Sequence, residues 1–364
     1  MSNTLWQSAA QTIVNAGQVP IPVNDTLLQL VQTIMDEKEA EFIQIFTKAL
    51  NHDEISQKSH LEPTRLNDML NGLMTKGVIT GIPSKSSGEV IYRLMPPIPG
   101  LFEFTLMRGE TGAKEKKLAN LFHQLFGELS NMVQGNYDLA MEMFKTARPI
   151  TRVVPIHQQI DQKIDNIIPH EDIFQIIDKF DTIAVAYCYC RHERELLGHA
   201  CQVTQEKENC LFFGQTARFV VDYKFGRLIS KDQAHAIIEK AKTDGLVHKS
   251  FHIRQDIEKD EFAICNCCKC CCGTFQLYYN GASPMHTYTS FLAQCDKDAC
   301  TGCGLCEEKC PMEAIFLQDE TACVHEVKCI GCGVCVEHCP VEAIQLKRTG
   351  MREAFVPPGK RAVG

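Results

Sequence analysis

The chain has 364 residues, 45% hydrophobic and 23% charged, with 37 Lys and Arg against 45 Asp and Glu for a formal net charge of −8. That composition is ordinary for a globular chain, supplies material for two or three domains and excludes disorder over most of the length. Residues 1–37 hold no Lys or Arg, so the charged start of a secretory signal is missing, and no apolar run approaches the roughly eighteen residues of a membrane span. A cytoplasmic protein without a membrane span is expected. All 20 cysteines fall from Cys188 onward, and in a reducing compartment such crowding points to metal ligands rather than disulfides.

In the front half, residues 38–49 alternate Phe42, Ile43, Ile45 and Phe46 with polar residues, the pattern of an amphipathic helix. A short second helix is expected over Asp53 to His60, and a third over Pro63 to Lys76 with Leu66, Met69, Leu70 and Leu73 on one face and Gly77 ending it. Val78 to Ile82 and Val90 to Leu94, joined by the polar Ser84 to Gly88 turn, read as a hairpin. This order, over about residues 25–100, resembles the winged helix-turn-helix family. The resemblance implies DNA binding, but the candidate recognition helix offers Arg65, Asn67, Asn71 and Lys76 against Asp68 and the preceding Glu62. Residues 26–110 carry 8 basic and 11 acidic side chains, poor electrostatics for a polyanion. Nucleic acid is therefore not expected as a partner, and the module is read as a protein-contact or homodimer surface.

Pro96 to Pro99 makes a stiff exit from the hairpin, and Lys114 to Val133 carries a helical apolar stripe of Leu118, Leu121, Phe122, Leu125, Phe126, Leu129, Met132 and Val133. Tyr137 to Thr146 follows as another helix. Beyond it, Val153 to Ile156 and Ile183 to Tyr187 read as strands, Pro169 to Phe180 as a helix, and Lys231 to Asp244 as a helix capped by Ser230 and stopped by Gly245. This alternation suggests a small α/β domain.

That domain holds ten cysteines in two groups: Cys188, Cys190, Cys201 and Cys210, then six between Cys265 and Cys272. Both groups are expected on loops directly after short strands, Ile183 to Tyr187 and Phe262 to Ile264. Four thiols suffice for one [4Fe-4S] cluster or one zinc. Six thiols in eight residues cannot all face one ion, because an extended chain sends neighbours to opposite sides and a helix scatters them. A mixed site is expected, with some of Cys265, Cys267, Cys268 and Cys270 joining part of Cys188, Cys190, Cys201 and Cys210. Cys271 and Cys272 are assigned to the start of the helix that follows, Gly273 to Asn280. One or two further [4Fe-4S] clusters or a zinc ion are the expected occupants.

Near the C-terminus, Cys300 to Phe316 and Cys329 to Gln345 share 11 identities in 17 positions at an offset of 29. Each copy reads C-x2-C-x2-C-x3-C-P, a looping backbone that aims three thiolates into one concavity and leaves a cluster's fourth iron to be served from elsewhere. Three equally spaced cysteines followed by Cys-Pro disfavour zinc, whose ligands come as separated C-x2-C pairs. The segment resembles the bacterial-type two-[4Fe-4S] ferredoxin family over about residues 294–347. The resemblance implies that Cys300, Cys303, Cys306 and Cys339 hold one cluster, and Cys329, Cys332, Cys335 and Cys310 the other. Cys295 and Cys323 fall outside the pattern as bystander thiols. From Cys295 to Lys347 there are ten acidic and four basic residues, a surface suited to a basic docking face on a redox partner. The basic residues after Ile344 read as a solvated tail.

The expected class is α+β and multidomain, with a helical winged-helix-like N-terminal half, a small α/β cysteine-rich middle domain and a C-terminal ferredoxin-like two-cluster domain. Boundaries fall at 1–110, 111–148 (helical linker), 149–293, 294–347 and 348–364 (basic tail). No Gly-rich dinucleotide loop, P-loop or hydrolytic triad signature is present. The reading is a non-catalytic electron-transfer subunit or partner of a larger anaerobic oxidoreductase complex, with a redox-sensing winged-helix transcription regulator as the competing class.

Overall fold

The computed structural model describes residues 2–84, 86–155, 169–252, 256 and 259–361, and the chain divides into two units, each assembled from discontinuous segments. No helix among the described residues is long and apolar enough to cross a membrane.

The first unit comprises Met1–Leu129, Ala186–Ala200 and Gln215–Arg227. It opens with α1 (Ser2–Asn15), α2 (Asp25–Ile34) and α3 (Glu37–Phe42). Asn24 caps α2 by accepting from the Leu27 N–H, and Asp36 with Glu39 forms a reciprocal capping box on α3. The helix expected over residues 38–49 is shorter, passing into a 3-10 turn at Ile43–Ile45. Then come β1 (Leu50–Asn51), α4 (His52–Ser59), α5 (Pro63–Thr75), β2 (Ile79–Pro83) and β3 (Val90–Leu94), with the strands in the order β1-β3-β2. Pro63 starts α5 where a missing N–H costs nothing, and Leu66, Leu70 and Leu73 form its buried face. Past the proline-rich exit, α6 (Phe102–Leu106) and α7 (Ala113–Gly135) meet through Phe102, whose ring lies edge-on to Phe122 and Phe126 at 5.0 Å from each.

The second unit comprises Ser130–Val185, Cys201–Gly214 and Leu228–Gly364. In chain order through both units the elements after α7 are α8 (Tyr137–Thr146), β4 (Thr151–Val153), α9 (Ile173–Asp178), β5 (Ile183–Tyr187), α10 (Tyr189–Leu196), β6 (Glu208–Phe213), α11 (Gly214–Asp222), β7 (Gly226–Ile229) and α12 (Lys231–Thr243), of which α10 and, past Gly214, α11 belong to the first unit. They are followed by β8 (Val247–His252), β9 (Glu261–Cys267), α13 (Gly273–Tyr279), β10 (Met285–Cys295), α14 (Leu305–Lys309), β11 (Ile315–Gln318), β12 (Thr321–Val324), α15 (Val334–Glu337) and β13 (Ile344–Val356). Eight strands form one sheet in the order β13-β10-β4-β8-β9-β6-β5-β7, and β11 pairs with β12 in a separate hairpin. Ser230 and Gln233 make the capping box that starts α12. An apolar core of Ile173, Ile176, Ile177, Leu211, Phe213, Ala234, Ile238 and Ile264 lies under α9 and α12.

The helix read over Pro169 to Phe180 is a 3-10 turn, Pro169–Glu171, followed by α9, because Asp172 caps a new start by accepting from the Phe174 and Gln175 N–H groups. The strand read from Val153 is Thr151–Val153, and Ile156 lies outside the described residues. The 348–364 segment is not a solvated tail through its first half. Residues up to Val356 continue β13, antiparallel to β10 from Met285↔Val356 to Cys295↔Ile344. Arg348 there bonds the buried Glu171 carboxylate at 3.0 Å, and Arg352 donates to the Cys329 carbonyl at 2.6 Å. The long strands β10 and β13 clamp both ends of the cysteine repeat.

Candidate metal centres

Within the repeat, the backbone follows a pseudo-twofold that the offset of 29 extends beyond the cysteine motifs. Gly302 and Gly331 take φ of +66° and +64°, and Gly304 and Gly333 take +77° and +80° at the starts of α14 and α15. A Cβ on Gly302 would collide with the Glu320 carbonyl, and one on Gly331 with the Phe291 carbonyl, so both positions need glycine on two grounds. Glu313 and Glu342, each just after a Cys-Pro, also take positive φ.

These turns bring the thiols into two groups. One cavity is lined by Cys300, Cys303, Cys306 and Cys339 together with Leu317, Val341 and Ile344. The other is lined by Cys310, Cys329, Cys332 and Cys335 with Met312, Ile315 and Ile330. Each run thus sends its fourth cysteine to the other cavity. Four backbone amides aim at sulfur in symmetric pairs: Ala322 to Cys300 and Ala293 to Cys329, each 3.5 Å, and Ala314 to Cys310 and Ala343 to Cys339, each 3.2 Å. Apolar walls, four thiols and N–H groups directed at them suit an anionic iron–sulfur cluster, whose sulfur ligands are stabilised by such donors.

The two cavities differ in exposure. Cys303 is exposed and Cys300 and Cys339 half-buried, whereas Cys310, Cys329 and Cys335 are all buried. Backbone N–H groups of Ala322 and Gly302 hold the Cys300 thiol below the ordinary value, while burial pushes Cys332 up to about 12 and Cys335 well above the ordinary thiol. Cys295 stands beside Cys300 and is pushed up to about 12, by burial first and that neighbour second.

The middle cysteines are arranged differently from the sequence expectation. Cys188 is the N-cap of α10 and Cys190 is buried on that helix, both in the first unit. Cys210 lies inside β6 and Cys265 and Cys267 inside β9, where Cys210 and Cys265 are direct cross-strand partners. The expected loop after Ile264 is therefore three further residues of strand, paired with β8 as Lys249↔Cys265 and Val247↔Cys267. Cys265 and Cys267 share one face of β9 by strand alternation. Hydrogen bonding with Cys272, then burial, pushes Cys267 well above the ordinary thiol, and the buried Lys249 ammonium opposes this. Lys249 donates to Thr274 Oγ1 at 2.8 Å and lies 4.5 Å from the Phe275 ring centre.

From Cys268 the chain turns, closed by the Cys272 N–H donating to the Cys268 carbonyl at 3.1 Å. Cys268, Cys270 and Cys271 meet Cys201 here, all four sulfurs lying within 4.8 Å of one another. Cys201 is 3.7 Å from Cys268 and 3.6 Å from Cys270, Cys268 and Cys270 are 3.6 Å apart, and Cys270 is 3.5 Å from Cys271. Hydrogen bonds from these neighbours pull Cys201 far below the ordinary thiol value. Of the mixed set expected from sequence, Cys201, Cys268 and Cys270 converge. Cys271, assigned to the following helix, is the residue that reading missed; the i, i+3 spacing from Cys268 was its signal, and only Cys272 caps α13.

A family model described as a 4Fe-4S dicluster domain matches residues 299–343. No curated protein and no solved structure matches the chain. The matched segment and the two four-cysteine cavities mark the chain as an iron–sulfur protein.

Proposed function

We propose that this chain is an electron-transfer protein, a ferredoxin-like subunit or partner of a larger anaerobic oxidoreductase complex. Cys300, Cys303, Cys306 and Cys339 hold one [4Fe-4S] cluster, and Cys310, Cys329, Cys332 and Cys335 the other. The observation that carries the reading is the pair of cavities, each lined by three cysteines of one run and the fourth of the other. Each cluster, when bound, supplies a one-electron couple. The eight thiolates hold both clusters in one rigid unit, and the four amides aimed at sulfur favour the more negative reduced state. Met312, Ile315, Ile330 and Ile344 keep water from the cluster faces. Exposed Cys303, with exposed Glu307 and Glu308 close by in sequence and the exposed Asp319–Glu320 turn brought up against Gly302, marks the end at which a partner with a basic face exchanges electrons.

The test is anaerobically purified full chain assayed for iron, acid-labile sulfide and reduction by a low-potential donor. About eight iron and eight sulfide for the repeat, with reduced-cluster paramagnetic resonance, is the expected result. Clusters that no low-potential donor reduces would overturn it. A second reading, a redox-responsive DNA-binding regulator, draws on one observation, the helix, strand, helix, helix, hairpin order from α3 to β3. The acidic balance of that segment opposes it, and absence of a duplex shift even at low salt would end it.

A further inference from the structure

We propose that Cys201, Cys268, Cys270 and Cys271 form a mononuclear tetrathiolate site that takes one Zn²⁺ ion, separate from the clusters of the repeat and not a third cubane. Four thiolates around a single ion at the zinc–sulfur bond length of about 2.3 Å stand at the corners of a tetrahedron with edges of about 3.8 Å. The sulfur–sulfur separations here are 3.5, 3.6, 3.6 and 3.7 Å. A cubane holds its irons off its centre, so the thiolates around it spread to about 6 Å. The same chain supplies the contrast: among the described residues no other three His, Cys, Asp or Glu ligand atoms lie within 4.8 Å of one another, and neither quartet of the repeat does so.

The identity of the ion follows from ligand softness and the order of divalent affinities. A closed thiolate set selects thiophilic metals, and at a mononuclear site of this kind Zn²⁺ binds more tightly than Fe²⁺. Cys268 and Cys271 are each 3% exposed, and four protein ligands close the coordination sphere, as in a structural rather than a catalytic site. What the ion fastens is also on view. It ties the loop at Cys201 to the turn before α13, and from that turn Lys269 bonds Glu313 at 2.7 Å, while Tyr279 of α13 donates to the Pro311 carbonyl at 2.7 Å. Both partners flank Cys310 or follow its Cys-Pro, so the ion steadies the segment against which the buried cavity of the repeat is built.

The experiment uses the full chain purified without oxygen, with zinc, iron and sulfide measured per chain and X-ray absorption recorded at the zinc edge. One zinc with four sulfur neighbours at about 2.3 Å is expected, falling at least tenfold in both Cys201→Ser and Cys270→Ser while the iron, sulfide and cluster resonance of the repeat stay unchanged. Wild-type metal content and zinc-edge scattering decide the matter even if a variant fails to fold. Zinc absent, with iron and sulfide that drop together by about four per chain in Cys201→Ser, would establish a cubane and overturn the proposal. One sulfide-free iron at this site, or zinc retained in both variants, would overturn it as well. None of these outcomes depends on whether the repeat transfers electrons.

Discussion

Three glycines with nearly the same backbone angle should differ widely in what an alanine costs, because they differ in what the new Cβ meets. Gly302, Gly331 and Gly350 have φ of +66°, +64° and +77°. Each Ala variant pays about 1–2 kcal/mol for the left-handed conformation, and each gains the same smaller amount from a stiffer unfolded chain. At Gly350 that is all, since nothing lies within 4 Å of the added atom. At Gly331 the Cβ meets the Phe291 carbonyl and, at 2.7 Å, Thr289 Oγ1. Phe291 is fully buried and paired through β10 to Arg348 of β13, so the strand cannot give. Overpacking of this kind adds about 1–3 kcal/mol. Gly302 meets the equivalent carbonyl of Glu320, but that residue is at the exposed tip of the β11–β12 hairpin, with Asp319 and Glu320 both at positive φ, and the tip can shift outward. The expected order of damage is Gly331→Ala, then Gly302→Ala, then Gly350→Ala, with about 2 kcal/mol, or about thirtyfold in the equilibrium, between first and last. The assay is the guanidinium midpoint for bleaching of the visible cluster absorbance under argon. Equal midpoints for Gly331→Ala and Gly350→Ala would refute the steric argument, and equal midpoints for Gly331→Ala and Gly302→Ala would refute the distinction between a pinned strand and a free tip.

Cysteine swaps test the crossed ligation directly. Cys310→Ser should remove about half of the reducible spins, and adding Cys329→Ser should remove no more, whereas adding Cys300→Ser should remove the rest; additive loss in the first pair would contradict a shared cluster. In the first unit, burial raises the Glu193 carboxyl to about 7, against the opposing charge of Arg194, with His123 Nδ1 at 3.7 Å as its nearest ring nitrogen. A folded-state value above the unfolded one means that stability present below about pH 4.5 is lost as pH rises towards 7, by about 3 kcal/mol. Glu193→Gln should flatten that slope in unfolding followed by the fluorescence of Trp6, the sole tryptophan, and an unchanged slope would exclude Glu193 as its source. Asp36→Ala breaks the capping box on α3, against which α1 packs, and should lower stability by about 1 kcal/mol in the same fluorescence assay, with no change counting against the cap.

How legible each centre was in the sequence depended on which atoms carry the information. In the repeat the cysteines stand at fixed spacing inside glycine turns, and the ferredoxin resemblance that this spacing carries implied both quartets. The donors that tune them were hidden. Ala293 and Ala322 act through backbone N–H groups, which any residue but proline supplies, so although the two alanines match at the offset of 29 their side chains carry no sign of that role. The same holds for α1 and α2, whose apolar residues could be seen but whose role as packing partners depends on contacts distant in sequence. The supposed tail failed for a related reason: alternating apolar residues at Leu346, Ala354 and Val356 are spaced by a kink at Gly350, and only the ladder to β10 reveals them as one strand.

The middle cysteines turn on a single boundary. Whether Cys265 to Cys272 faces one site or two is decided by where β9 stops, because strand alternation and a helical turn direct thiols by different rules. Phe262 to Ile264 suggested a stop at Ile264. Cysteine is itself a small apolar residue that a buried strand accepts, and the ladder to β8 carries β9 on to Cys267. The strand then presents Cys265 and Cys267 together towards Lys249, and the turn that follows gathers Cys268, Cys270 and Cys271 around Cys201. Six thiols in eight residues are thus divided by a three-residue shift in a strand end. A proline at Asn266, which would remove an N–H from the ladder in a central strand, should therefore dislodge the turn and its zinc while sparing the eight thiols of the repeat; zinc content unchanged in Asn266→Pro would show that the turn holds its ion without β9.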